Sequence, residues 1–220
     1  SIGISHLGGL KRRQSMSNES QGNKMIGIFP TPIYFSSIKD ERVIDNAIAS
    51  LVFPSAIDES RRCTEDNLHT LPEFKELSDI LLAESKVVLD EMTIIRDSEY
   101  ITCMWANKAD IGLPHSEHVH PNSLWSGVLY LQVPYGAGST LFIDPRQGVS
   151  MISPDYENQT IGTRWGRLPF KGALVMFPSW LPHCVESTPK ELGASGKRIS
   201  LSWNIMIRSK VQAPTAKIEY

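Results

Sequence analysis

Residues 198–207 read RISLSWNIMI. Ile199, Leu201, Trp203 and Ile205 alternate with Arg198, Ser200, Ser202 and Asn204, the two-residue period of a strand with one apolar and one polar face. A polar strand face in a small barrel lines a cavity rather than a core. Back toward the N-terminus, further short apolar runs alternate with Gly/Pro turns: YITCMWANKA (100–109), WSGVLYLQVP (125–134), STLFID (139–144), ALVMFP (173–178) and HCVES (183–187). Such spacing means an all-β sandwich or barrel and not βαβ units.

Before Tyr100 the period changes. Val43, Ile44, Ala47, Ile48, Leu51 and Val52 form the stripe of an amphipathic helix over 38–52, with Ser37 as its cap and Asp40 and Glu41 in the first turn. Thr70-Leu71-Pro72-Glu73 has the capping-box pattern for a second helix over 71–95, with Leu77, Leu81, Val88, Met92 and Ile95 on one face. IGIFPTPIYF (26–35) suits an edge strand, because proline cannot donate to a ladder. Residues 53–69 and 145–168 read as loops, the second long enough for a lid or binding loop. The expected organisation is a flexible tail over 1–24 and one domain over 25–220, with helical support over 36–95 and the barrel over about 100–207.

The 220 residues are long enough to bury a core, and the formal net charge of −2 creates no global field for nucleic acid or an anionic membrane. No apolar run has the length of a transmembrane helix, and the first residues lack the order of a secretory signal. Cys63, Cys103 and Cys184 are scattered with no CxxC pair. That argues against a disulfide framework or a structural zinc site and for a reducing, cytoplasmic setting. A small molecule or peptide is the expected partner, with a homodimer left open.

Chemistry concentrates in the histidines. His115, His118 and His120 fall in LPHSEHVHPN, and His183 follows FPSWLP. In a strand, His118 and His120 share a face and can share one metal, with His183 completing the site from another strand. His115 and Glu117 form the competing pair on the opposite face. Three ligand sets follow: His118, His120 and His183; His115, Glu117 and His183; or His118 and His183 completed by Glu117 or water. Arg198, followed by Ser200, is suited to bidentate binding of a carboxylate; its strand is expected to run antiparallel and adjacent to that of His183, joined by the turn PKELGASGK (189–197).

The order HxH, His, RxS resembles the iron(II)/2-oxoglutarate oxygenases, and within them a subfamily with a double-stranded β-helix. The resemblance runs through IFPTPIY (28–34), MWANKA (104–109), HVHPNSLWSGVLYLQVP (118–134), FIDPR (142–146), GALVMFPSWLPHCV (172–185) and RISLSWNI (198–205). It implies a jelly-roll, cupin-like barrel carrying Fe(II), with 2-oxoglutarate as co-substrate, and the two N-terminal helices read from their periodicity would flank it. It further implies a dioxygenase that hydroxylates a substrate and releases succinate and CO2. On this reading Arg198, Ser200 and Tyr130 hold 2-oxoglutarate, and Asn107 and Trp105, with Trp165 and Trp180 around the mouth, are substrate contacts. The sequence departs from the superfamily in one respect: histidine stands at position 120, where a carboxylate is usual. Gly112 followed by His118-x-His120 also matches the opening of the cupin motif, whose next glutamate is missing here. The alternatives are therefore a three-histidine cupin-type metalloenzyme that does not use 2-oxoglutarate, and a non-enzymatic jelly-roll binding protein.

Overall fold

The computed structural model describes residues 27–54, 61–110, 112–146, 148–149, 151–152, 154–155, 162–187, 196–212 and 217–219. The chain divides into two units, 1–31 and 32–220. The tail expected over 1–24 lies outside the described residues.

In chain order the second unit contains β1 (Tyr34–Ser37), α1 (Glu41–Ser50), β2 (Arg61–Cys63), α2 (Lys75–Glu91), β3 (Ser98–Asp110), β4 (His115–His118), β5 (Trp125–Gln132), β6 (Thr140–Ile143), β7 (Arg164–Arg167), β8 (Ala173–Pro178), β9 (His183–Val185) and β10 (Lys197–Arg208). The paired strands β11 (Lys210–Gln212) and β12 (Lys217–Glu219) follow. One sheet has the order β1-β8-β5-β10-β3-β2 and a smaller one β4-β9-β6-β7. All pairings between these strands are antiparallel. This is the expected double-stranded β-helix with two helices on its outside.

Both faces of β10 are covered, each by a different layer. Leu201, Trp203 and Ile205 share a core with Val43, Ile44 and Ala47 of α1 and with Leu77, Leu81, Val88 and Leu89 of α2. Trp203 is fully buried and donates its Nε1–H to Ser85 Oγ (3.2 Å), which in turn donates to the Leu81 carbonyl of α2. Its ring crosses β5 at Gly127, its register partner, where a Cβ would sit 2.2 Å from a ring carbon. Glycine at this strand interior thus makes room for the indole that ties helix to sheet. The opposite face of β10, with Arg198, Ser200, Ser202 and Asn204, is also buried and looks toward the small sheet. A second apolar cluster of Tyr130, Phe142, Val175, Phe177 and Leu181 fills part of that inter-sheet space.

Several local expectations are corrected. β1 is an edge strand, but over 34–37, beyond Pro30 and Pro32. Helix α1 is capped by Asp40, whose carboxylate accepts from the Arg42 N–H, and not by Ser37, which lies in β1. The capping box at 70–73 does not form: Pro72–Phe74 is a 3-10 turn, α2 starts at Lys75, and the Thr70 hydroxyl donates to the Asn67 carbonyl. Helix α2 ends at Glu91, which leaves Met92 and Ile95 exposed. The expected loops contain strands β2 and β7, because each finds a ladder partner, β3 and β6 respectively.

Candidate metal centre

β4 and β9 lie side by side with His118 directly opposite His183. That pairing is non-local and brings two imidazoles together from residues 65 positions apart in sequence. His120 arrives differently. β4 ends at His118, so the expected i, i+2 sharing of a strand face does not apply. His120 lies in the coil beyond, held by its backbone N–H to the Ser179 carbonyl (2.9 Å). The ligand atoms of His118, His120 and His183 all lie within 4.8 Å of one another. His120 and His183 are buried and His118 is half-buried. Glu117 is exposed, and the His115 ring stacks on that of His118 at 4.5 Å. Neither belongs to the three-residue group.

The hydrogen bonds define the chemistry of the cluster. His118 Nδ1 meets the Ser116 carbonyl at 2.8 Å, His183 Nδ1 the Leu181 carbonyl at 3.0 Å, and His120 Nδ1 the Asn204 Oδ1 at 2.9 Å. Carbonyl and amide oxygens only accept, so each Nδ1 carries the proton and donates it. Each Nε2 is then a bare lone pair. His120 Nε2 and His183 Nε2 face each other at 3.3 Å, a repulsive arrangement unless a cation lies between them. Protonation offers no ready relief. Burial pushes His120 below the usual histidine range despite its bond to Asn204. Burial, with the neighbouring imidazoles adding to it, takes His183 down to about 3. Two nitrogens each ~2.1 Å from one ion at right angles would be ~3.0 Å apart. The His120–His183 spacing therefore suits adjacent ligands, and His118, the most exposed of the three, has the freedom to close on the same ion. The residues present fit a divalent metal, with the second-layer bonds that orient metal-binding histidines.

The residues expected around 2-oxoglutarate lie on neighbouring strands. Ser200 of β10 is the register partner of Tyr130 on β5. Arg198, Ser200 and Tyr130 are all buried. The Tyr130 hydroxyl reaches across to the small sheet and is 2.5 Å from Thr140 Oγ1. Burial pushes its pKa up, opposed by that bond and by the positive charge of Arg198, which places the guanidinium in the same neighbourhood. Here the strand arrangement differs from expectation. His183 and Arg198 were expected on adjacent antiparallel strands, yet β9 pairs with β4 and β6 while β10 pairs with β3 and β5. The two residues sit in opposite sheets, because β9 and β10 find their ladder partners in different ones.

Trp105 and Asn107 pair with Ser202 and Ser200, so they share the inner face. Trp105 approaches His120 at 5.6 Å between ring centres. Trp180 is exposed beside Ser179, whereas Trp165 packs against Phe35 and Phe142. A cavity of about 320 Å³ is lined by residues that include Phe35, Tyr130, Thr140, Phe142, Arg167 and Val175, with none of the three histidines in its wall.

Residues 103–204 match the family model described as "Putative 2OG-Fe(II) oxygenase". Over these residues the chain is similar to the 2OG–Fe(II) oxygenases. The chain is an enzyme on that ground, and iron and 2-oxoglutarate are its cofactors. The oxygenase resembles solved structures at low identity. A 2OG-Fe(II) oxygenase-family oxidoreductase from Burkholderia pseudomallei has 16% identity and a TM-score of 0.54, covering 76% of this chain and 77% of that one. A Pseudomonas putida prolyl-4-hydroxylase has 14% identity and a TM-score of 0.54, covering 81% and 94%. HygX from Streptomyces hygroscopicus, with nickel and 2-oxoglutarate bound, has 10% identity and a TM-score of 0.54, covering 86% and 92%. At such identity these likenesses speak to the fold. No curated protein matches in sequence.

Sequence reasoning passed over three residues that the site uses. Asn204 was legible only as a member of the polar face of β10. Ser126 and Ser179, which join it, carry no sequence signal at all.

Proposed function

We propose that this oxygenase hydroxylates a C–H bond of a small-molecule or peptide substrate, with 2-oxoglutarate converted to succinate and CO2. The observation that carries the metal half of this reading is the convergence of three imidazoles, with ligand atoms within 4.8 Å of one another and each Nδ1 within hydrogen-bond distance of an oxygen. His118, His120 and His183 would hold the iron on one face and leave up to three positions open. Iron and 2-oxoglutarate together supply the oxidising chemistry, one atom of dioxygen entering succinate and the other the substrate.

The chain's own residues orient and shield. Arg198, Ser200 and Tyr130 offer a cation and two hydroxyls inside the inter-sheet space, suited to the distal carboxylate of 2-oxoglutarate. Phe142 and Phe177, whose rings lie 6.2 and 4.5 Å from that of His183, keep one side of the centre dry. Trp105 and Asn107 border the other side and would meet substrate.

The test is succinate production by purified protein supplied with Fe(II) and 2-oxoglutarate, with and without a panel of candidate substrates. Succinate that depends on Fe(II) and is lost in His183→Ala supports the reading. Metal binding without any 2-oxoglutarate consumption would favour the three-histidine metalloenzyme, for which the all-imidazole ligand set is the specific argument.

A further inference from the structure

We propose that Asn204 is a positioning residue that sets both the orientation and the donor strength of His120 toward the metal. The inference rests on the metal reading above and goes beyond it to a residue outside the ligand set.

Two of the three histidines lean on main-chain carbonyls, Ser116 for His118 and Leu181 for His183. His120 alone leans on a side chain. It is also the one lying beyond the end of β4, so no ladder fixes it. A closed circuit of hydrogen bonds does so instead. The His120 N–H donates to the Ser179 carbonyl (2.9 Å), Ser179 Oγ is 2.8 Å from Ser126 Oγ, Ser126 Oγ is 2.8 Å from Asn204 Oδ1, and Asn204 Oδ1 is 2.9 Å from His120 Nδ1.

The direction of every bond follows from chemistry. Asn204 Oδ1 can only accept, so it receives both the His120 Nδ1–H and the Ser126 hydroxyl hydrogen. Ser126 has then used its one hydrogen and must accept from Ser179. Metal binding requires the amide this way round: His120 can offer Nε2 to an ion only as the Nδ1–H tautomer, and an NH2 in place of the oxygen would confront that N–H. In its present orientation the NH2 instead reaches Cys103 Sγ at 3.2 Å. Asn204, Ser126 and Ser179 are all buried, at 7%, 0% and 1% exposure, so solvent does not readily replace a lost member.

An acceptor behind an imidazole raises the basicity of the opposite nitrogen, and a carboxylate does so more than an amide. Here the amide oxygen is shared with Ser126, which weakens its pull. Asn204 thus holds His120 as a firmly oriented but neutral donor within an all-imidazole set. A residue that merely filled space or braced the sheet would have no such effect.

The experiment is a Co(II) titration of the full chain at slightly alkaline pH, followed through the visible d–d absorption, for wild type, Asn204→Ala, Asn204→Asp and His183→Ala. Circular dichroism and Tm report folding. Asn204→Ala is expected to weaken Co(II) binding by about 10–100-fold. Asn204→Asp, near-isosteric and a stronger acceptor, is expected to bind at least as tightly as wild type and to shift the d–d bands. A structural role predicts that both substitutions weaken binding alike. Asn204→Ala binding within about threefold of wild type, or Asn204→Asp as weak as Asn204→Ala with both folded, overturns the proposal. If Asn204→Ala does not fold, Asn204→Ser is judged by the same criterion. A wild type that binds no Co(II), or binds it equally well after His183→Ala, overturns the metal reading and this proposal with it.

Discussion

Replacing Arg198 by alanine probes the co-substrate half of the function directly. The side chain is 9% exposed, and its expected companions Ser200 and Tyr130 are 8% and 5% exposed. That burial decides the magnitude. A surface ion pair is worth only about 0–1 kcal/mol, whereas truncating one member of a buried, hydrogen-bonded charge pair costs about 2–5 kcal/mol, much of it from the stranded partner. At about 1.4 kcal/mol per decade, the loss corresponds to a roughly 30- to 4,000-fold weaker 2-oxoglutarate affinity. Arg198 stands in the opposite sheet from His118 and His183, so metal binding is expected to survive. The assay is succinate formation against 2-oxoglutarate concentration, paired with a Co(II) titration of the same protein. Arg198→Lys retains the charge without the planar fork and is expected to fall between wild type and alanine. An unchanged KM for 2-oxoglutarate in Arg198→Ala, with the fold intact, refutes the assignment of this residue to the distal carboxylate. Loss of metal binding in the same variant refutes the separation of the two halves of the site.

His183→Ala is expected to abolish Co(II) and Fe(II) binding while far-UV circular dichroism stays that of the wild type, since β9 retains its ladder to β4 and β6. Acid sensitivity follows from the same residue. Burial takes His183 down to about 3 in the folded, metal-free chain, so the unfolded chain binds more protons below about pH 6.5 and stability is present above that pH and lost as pH falls toward 3. Urea unfolding is expected to show about 2 kcal/mol less stability at pH ~5 than at pH ~8 from this group, and His183→Gln should flatten that slope; an unchanged slope would contradict the burial argument. Gly127→Ala, whose Cβ would sit 2.2 Å from the buried Trp203 ring, is expected to cost about 1–3 kcal/mol or more in the same experiment.

Much of this architecture was legible in the chain itself. The alternation in β10 is a local property: apolar residues at every second position must all find cover, and only a strand with a core on that side provides it. The fold class, the two outer helices and the polar inner face followed from that period and its change near Tyr100. His118, His120, His183 and Arg198 were visible as candidates because their residue types are costly to bury without a purpose.

What the tertiary structure alone decided is where non-local hydrogen bonds go. Sequence spacing suggested that His118 and His120 share a strand, but β4 stops at His118, and His120 is placed by Ser179, Ser126 and Asn204 from elements 59, 6 and 84 residues further along. Sequence order suggested that the strands of His183 and Arg198 form a hairpin, but each is claimed by a different sheet. Asp40 capped α1 in place of Ser37 because Ser37 had already been taken into the ladder with Ala173. In each case the local pattern was compatible with two outcomes of similar energy. The choice fell to a partner far along the chain, whose identity no window of neighbouring residues contains.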